Sequence, residues 1–191
     1  EVEDIYGGTD VATGLQAHWQ LDDAVTRYAL AGNQVLAEYT ADADGDMALS
    51  RKFVYGAYID EPLMMINTDG GTETEFYYHR NRNYNIIALT DENGNEVERY
   101  TYSAYGEVVV LVDGDTGNPY FFTGRRLDDE TGLMYYRARY YDGELGRFIG
   151  RDPLGYVDFH IIYYYNNNPL DFTDPTGKRL FYPWEGRYIL V

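Results

Sequence analysis

The sequence has 191 residues, of which 45% are hydrophobic, so it can bury a core and does not belong to the disordered class. Its formal net charge of −17 would repel a phosphate backbone, which disfavours nucleic acid as a partner. The absence of cysteine excludes disulfides, thiolate metal sites and cysteine nucleophiles, and no apolar run reaches the roughly 20 residues that span a bilayer.

Tyrosine and glycine dominate the composition. There are 22 tyrosines against 8 phenylalanines and 2 tryptophans, together with 20 glycines. Tyrosine favours strands, and a buried tyrosine needs a partner for its hydroxyl group. The composition therefore predicts an all-β fold of many short strands and many turns.

The chain order supports this prediction. Residues 1–25 form an acidic lead-in with one strand at most, and residues 26–121 alternate apolar and polar positions as strands do. Glycine and β-branched residues interrupt the best helical candidate, 11–31. The hairpin turn signals are Gly32-Asn33, Asp44-Gly45 and Asn93-Gly94, of which Asn93-Gly94 is the strongest, and Pro62 predicts a break before a strand over 63–66.

A weak internal repeat runs through the chain. A tyrosine is followed six residues later by a glycine at Tyr39/Gly45, Tyr100/Gly106 and Tyr140/Gly146. Each unit reads as a strand, a glycine turn and a returning strand. Because such a unit cannot bury its apolar face alone, the units are expected to join into one continuous sheet.

Seven short motifs follow one another within residues 122–177. They are Phe122-Thr123-Gly124-Arg125, Glu130-Thr131-Gly132-Leu133, Tyr135-Tyr136-Arg137-Ala138-Arg139-Tyr140-Tyr141-Asp142, Leu145-Gly146-Arg147-Phe148, Asp152-Pro153-Leu154-Gly155, Asn167-Asn168-Pro169 and Asp174-Pro175-Thr176-Gly177. In this order they resemble the repeat-associated core of the rearrangement-hotspot (RHS) or YD-repeat proteins. Upstream, residues 51–65 and 77–108 resemble ordinary YD repeats.

The resemblance implies a spiral of YD-repeat β-hairpins that closes into a hollow shell, as in bacterial RHS proteins, Tc-toxin C components and teneurin-like proteins. The core would be the inward-turning plug, so this chain is expected to be a fragment or end-plug of such a shell. The shell of bacterial members often encloses a toxic C-terminal domain, which an aspartyl-type self-cleavage releases. Other members are large cell-surface proteins.

Four departures separate the sequence from this pattern. Ser103, Gly143 and Lys178 stand where the family usually has aspartate, proline and an apolar residue, and residues 159–162 replace a Gly-x-Asn-Leu-like run. Lys178 follows the second Asp-Pro-x-Gly motif directly. It therefore weighs against cleavage at that motif.

The candidate catalytic residues are Arg151, Asp152 and Asp174, with Asp158 as a further carboxylate. In the functional interpretation the two aspartates share one proton and activate water against a nearby peptide bond, while Arg151 polarises the carbonyl group. In the structural interpretation each aspartate opens a turn, with its carboxylate capping the next backbone amides. The turn chemistry favours the structural interpretation.

Other polar segments admit the same choice. Arg137, Arg139 and Arg147 could bind an anion, but arginine in a tyrosine-rich β core more often stacks on rings and pairs with carboxylates. Residues 163–165 are three tyrosines that could stack on a glycan or form a cross-strand ladder.

Residues 42–46 are acidic, but Met47 and Phe53 stand at the sixth and twelfth positions counted from Asp42, where a calcium loop needs glycine and glutamate. A hairpin turn is the better account, and a loose surface calcium site stays as the alternative. No metal site of a known type and no cofactor is predicted.

Three functions remain open from the sequence. The first is a structural scaffold of a secreted or cell-surface bacterial protein, which assembles with copies of itself or with other fragments of a longer RHS precursor. The second is an enzyme that cuts its own chain once, and the third is a glycan-binding surface. The apolar tail 178–191 is expected to plug the shell or dock on a neighbouring subunit, since its large apolar residues seldom stay in solvent. The start at Glu1, without a leader, suggests a processed product or a fragment.

Overall fold

The computed structural model describes residues 15–19, 25–41, 45–154, 172–178, 181–182 and 187–188. In this part all regular structure is β-strand, apart from one 3-10 turn at Phe122–Gly124. The all-β prediction is therefore confirmed. In the same part, no helix has the length and apolar composition that a membrane crossing requires.

The chain divides into two compact units. The first contains Glu1–Val54 and Met64–Glu75, and the second contains Tyr55–Leu63 and Phe76–Val191. Residues 42–44 of the acidic segment 42–46, the carboxylate Asp158 and the tyrosines at 163–165 lie outside the described residues.

In the first unit, four strands pair in chain order and antiparallel. They are β1 (Leu15–Trp19), β2 (Val25–Ala31), β3 (Gln34–Ala41) and β4 (Met47–Tyr55). The predicted turn at Gly32-Asn33 joins the paired residues Ala31 and Gln34, and Gly32 has a φ of +61°. A two-residue hairpin needs positive φ there, which glycine adopts without steric cost.

Strand β5 (Pro62–Asp69) begins one residue earlier than the sequence predicted, at the proline itself. Proline has no N–H to contribute to a ladder, but it is accepted as the first residue of a strand. In the first unit, Met65 of β5 is fully buried and Phe53 of β4 is 4% exposed.

In the second unit, another four strands form an antiparallel meander. They are β6 (Thr72–Arg80), of which residues from Phe76 belong to this unit, β7 (Ile86–Thr90), β8 (Glu96–Tyr102) and β9 (Val108–Val112). The predicted turn at Asn93-Gly94 joins β7 to β8. Gly94 has a φ of +80°, and its N–H donates to the carbonyl oxygen of Asp91 at 3.0 Å.

The carboxylate of Asp91 organises this turn. It accepts hydrogen bonds from the backbone N–H groups of Asn93 (2.9 Å) and Asn95 (2.8 Å) and from the side-chain amide of Asn95 (2.9 Å). These bonds, above all the side-chain bond from Asn95, lower the pKa of Asp91. Because the folded-state pKa lies below the unfolded one, the stabilisation is complete above a pH of about 3.9 and is lost as the pH falls through the folded-state value.

We expect Asn95→Ala to raise the pKa of Asp91 toward its ordinary value, because the variant removes the side-chain donor and keeps both backbone donors. The measurement is the pH titration of the Asp91 carboxyl carbon by NMR in the wild type and the variant. An unchanged midpoint would mean that the backbone amides alone lower the pKa.

A smaller sheet follows in the second unit. It pairs β10 (Arg126–Asp128), β11 (Leu133–Tyr135), β12 (Tyr140–Asp142) and β13 (Arg147–Phe148) antiparallel and in chain order. One face is buried: Met134, Tyr141 and Phe148 are each at most 2% exposed, whereas Tyr135 is 44% exposed. This alternation is the period of two that a half-buried strand requires. A short pair, β14 (Phe181–Tyr182) and β15 (Arg187–Tyr188), lies in the predicted tail.

Tyrosine hydroxyls in this core have the partners that burial demands. The hydroxyl of Tyr136 lies 2.8 Å from the side-chain oxygen of Thr123, and Tyr141 donates to the carbonyl oxygen of Tyr105 at 2.6 Å. Burial raises the pKa of Tyr141 well above its ordinary value, so its hydroxyl stays protonated and donates.

The tyrosine–glycine repeat has a clear backbone basis. Gly45, Gly106 and Gly146 all have positive φ, at +86°, +93° and +65°. Each lies between the strand that carries the repeat tyrosine and the strand that returns. At Gly106 the requirement is also steric, because an added Cβ would overlap the ring of Phe122.

Candidate functional site: a buried arginine–aspartate cluster

Six charged side chains meet in the interior of the second unit, and we call them the ion cluster. Its members are Asp60, Arg125, Arg137, Arg139, Asp152 and Asp174. The loop between β4 and β5 supplies one aspartate, the residues after the 3-10 turn and after β11 supply the arginines, and the two Asp-Pro-x-Gly motifs supply the other aspartates. The exposed fraction of these side chains does not exceed 13%.

Asp60 holds the first half of the cluster. Its Oδ1 accepts a hydrogen bond from Nη2 of Arg137 at 2.6 Å, and its Oδ2 forms an ion pair with Nη2 of Arg125 at 3.1 Å. The same two arginines also bind the second Asp-Pro-x-Gly motif. Arg125 donates to the carbonyl oxygen of Asp174 at 2.6 Å, and Arg137 donates to that of Pro175.

Arg139 holds the second half. Its Nη2 lies 2.9 Å from Oδ2 of Asp174 and 3.2 Å from Oδ2 of Asp152, so two carboxylates contact one guanidinium nitrogen. The guanidinium carbon lies 3.6 Å from the centre of the Phe148 ring. Stacking on a ring is a frequent position for a desolvated arginine, whose planar charge interacts with the ring face.

Both aspartates of the motifs also cap their own turns. Oδ1 of Asp152 accepts the backbone N–H of Leu154 at 2.9 Å. Oδ1 of Asp174 accepts the N–H groups of Thr176 (3.2 Å) and Lys178 (3.0 Å). Each carboxylate therefore uses one oxygen for the turn and the other for Arg139.

The structure brings two of the three predicted catalytic residues together. Asp152 and Asp174 meet at Arg139, whereas Arg151 is exposed and, among the described residues, forms no ion pair with either. Sequence reasoning had not assigned a role in a site to Asp60 or Arg125. Arg125 stood within the Phe-Thr-Gly-Arg motif, so a signal was present, but nothing in the sequence around Asp60 marks it.

The charges of the ion cluster balance, with three arginines against three aspartates. Buried charges are tolerated when they are paired and hydrogen-bonded. Each carboxylate here is paired with at least one arginine, although Oδ2 of Asp60 accepts no hydrogen bond from the described residues. If two carboxylates share one proton, the oxygens that hold the proton must lie close to each other, and no cation may be bound to those oxygens. Here Arg139 compensates both negative charges. The three arginines therefore bind the second Asp-Pro-x-Gly motif together: Arg125 and Arg137 through its carbonyl oxygens, and Arg139 through the carboxylate of Asp174.

No group of histidine, aspartate and glutamate side chains with metal-binding geometry occurs among the residues that the structure describes.

Comparison with known proteins places the chain in a family. No family model matches it. It is 32% identical over 160 residues to the tRNA3(Ser)-specific nuclease WapA of Bacillus spizizenii, covering 80% of this chain and 7% of that protein. It is 26% identical over 151 residues to the probable deoxyribonuclease RhsA of Dickeya dadantii, covering 79% of this chain and 10% of that protein.

The fold is also that of a solved structure. A crystal structure of TcdB2-TccC3 without its hypervariable C-terminal region matches 85% of this chain and 8% of that chain, with a TM-score of 0.67 and 21% identity. The chain thus spans at most a tenth of the length of each of these proteins. With the motif order and the all-β meander, these matches identify the chain as a member of the RHS/YD-repeat family.

Proposed function

We propose that this chain is a structural element of a larger RHS-type protein, in which the ion cluster fixes the core module to the preceding strands. The observation that carries the proposal is that every carboxylate of the cluster binds an arginine. The two Asp-Pro-x-Gly aspartates are, in addition, used as turn caps.

The cluster joins parts of the chain that lie far apart in sequence. Asp60 and Arg137 are separated by 77 residues, and Arg125 and Asp174 by 49. A contact of this kind closes a long loop and defines one arrangement of the second unit, since a misplaced arginine would leave a buried carboxylate without a partner. Such specificity suits a scaffold.

The setting of the proposed scaffold is a secreted or cell-surface protein. The two relatives described above carry the names of nucleases, and their lengths far exceed this chain. We infer that the chain assembles with further RHS-type segments, either copies of itself or other parts of a longer polypeptide. Sheet edges of a partial shell need such partners, because unpaired strand edges associate.

Self-cleavage is the second candidate, and one contact favours it. The N–H of Lys178, which belongs to the peptide bond between Gly177 and Lys178, donates to Oδ1 of Asp174 at 3.0 Å. A carboxylate thus touches a peptide bond, and a second carboxylate, Asp152, lies at the same arginine. For hydrolysis, Arg139 would have to release one carboxylate so that it could activate water.

The intact mass of the purified chain over time decides between the two. If the scaffold proposal is right, the wild type and Asp152→Asn both keep the full mass, since neither is cut. Asparagine retains the acceptor for the Leu154 amide, so the variant keeps the turn cap. If the chain cuts itself, the wild type yields a fragment that ends near Gly177, and Asp152→Asn abolishes it.

Asp142→Asn is the matched control, because Asp142 also caps a turn, accepting the N–H of Leu145 at 2.9 Å, but lies outside the cluster. Fragments that appear equally in the wild type and both variants would eliminate self-cleavage through Asp152.

A further inference from the structure

Strand β9 exposes four apolar side chains in a row. Val109, Val110, Leu111 and Val112 are 46%, 51%, 57% and 40% exposed. The preceding residue, Val108, packs against the buried cluster around Phe122, so the strand is anchored at its start. Isolated exposed apolar residues are common on protein surfaces, but a continuous apolar strand is a typical interaction site.

Within the described part of the chain, the backbone of β9 has a strand partner on one side and none on the other. Among the described residues β9 pairs with β8 alone, with Tyr102 opposite Val108 and Arg99 opposite Val112. The chain then leaves the sheet through residues 113–119, which form no strand. The outer edge of β9 therefore presents backbone groups to which another strand can be added.

Acidic side chains flank this edge at both ends. Glu107 precedes β9, Asp113 and Asp115 follow it, and all three are exposed. The nearest cation on β8, Arg99, is already bound to Glu96, with Nε 2.8 Å from Oε2. A partner that pairs with β9 would therefore meet negative charge before and after its apolar residues.

This charge pattern distinguishes between possible occupants. In an antiparallel pair of two β9 strands, Glu107 of one copy would approach Asp113 of the other at both ends. Like charges at these positions repel, and the net charge of −17 adds to the repulsion. A second copy is thus disfavoured, whereas a strand with basic ends is attracted.

We infer that β9 is a docking edge for an extended segment of about five apolar, β-branched residues flanked on both sides by lysine or arginine. The added strand supplies main-chain hydrogen bonds and apolar cover, and its basic ends pair with Glu107, Asp113 and Asp115. This inference goes beyond the proposed function, because the edge and its charges do not depend on the ion cluster.

The test uses the full chain and two fluorescent synthetic peptides with the same five β-branched residues. One has two lysines at each end and the other has two glutamates. Fluorescence anisotropy at low ionic strength should show binding of the lysine peptide at least about tenfold tighter than binding of the glutamate peptide, and added salt should reduce the difference. Equal affinities would overturn the inference.

Variants locate the binding. The double variant Val109→Lys/Leu111→Lys should abolish binding of the lysine peptide. Leu145→Lys is the matched control, since Leu145 is 58% exposed in the turn between β12 and β13, and it should leave binding unchanged. Unchanged binding by the double variant would place the peptide elsewhere and refute the proposal.

A second set tests the charges. Glu107→Gln/Asp113→Asn/Asp115→Asn should remove the preference for lysine ends, while the amides keep the hydrogen-bonding shape. Asparagine also suits residue 115, whose φ is +51°, because asparagine adopts the left-handed region more readily than most residues. At residue 113, asparagine keeps the side-chain oxygen that accepts the N–H of residue 115.

Sedimentation of the peptide-free wild type completes the test. A dimer that the β9 double variant dissociates would show that the occupant is a second copy and would overturn the proposal.

Discussion

Replacing Arg139 by methionine is expected to destabilise the folded chain by about 3–5 kcal/mol, the usual cost of breaking a buried ion pair from one side. Methionine fills much of the volume next to Phe148 but carries no charge. Asp174, whose side chain is 1% exposed, and Asp152, at 8%, would then lose the cation that they share. The measurement is guanidinium denaturation followed by near-UV circular dichroism of the tyrosines.

Arg147→Met provides the control. Arg147 lies on β13 next to Phe148, in the same motif region, but it is exposed. We expect its replacement to change stability by less than about 0.5 kcal/mol, as at ordinary surface positions. Equal losses in the two variants would show that the ion cluster does not stabilise the core more than a surface arginine does.

The hairpins could be predicted from the sequence because their signals are local. Asn93-Gly94 and Gly32-Asn33 specify turns through the positive φ of the glycine, whatever the rest of the chain does. The order of motifs in 122–177 added the family. The structure and the comparisons confirm both the all-β fold and the family.

The ion cluster was only partly predictable. Arg137 and Arg139 pair with carboxylates as predicted, while Arg147 is exposed instead. Asp60 could not have been found, because its partner Arg137 is 77 residues away and contacts at that distance leave no periodic or local pattern. Long-range side-chain pairing depends on the completed fold.

The two interpretations of Asp152 and Asp174 turned out not to exclude each other geometrically. From the sequence alone, capping of a turn by each aspartate and convergence of the two aspartates are alternative interpretations. In the structure each aspartate caps its turn with Oδ1 and contacts Arg139 with Oδ2. The two oxygens of a carboxylate can serve two roles at once, and a sequence does not show how they are divided. Whether either aspartate is catalytic stays a prediction.

Replacing Gly124 by alanine is expected to cost about 2–5 kcal/mol, because it combines left-handed strain with overpacking, at about 1–2 and 1–3 kcal/mol respectively. Gly124 has a φ of +67°, and an added Cβ would overlap the backbone carbonyl oxygen of Asp60. Backbone cannot move aside as a flexible side chain can. The displacement would also separate Arg125, the next residue, from Asp60, so the first half of the ion cluster would weaken.

Gly132→Ala separates the two causes. Gly132 has nearly the same φ, +70°, but an added Cβ there would meet nothing within 4 Å. Its replacement should therefore cost only the left-handed strain of about 1–2 kcal/mol. If the two variants lose the same free energy of unfolding, the close approach of Gly124 to Asp60 has no energetic consequence. A larger loss for Gly124→Ala, together with faster amide hydrogen exchange around Asp60, would show that the glycine of the Phe-Thr-Gly-Arg motif is required because the loop that carries Asp60 packs directly on its backbone.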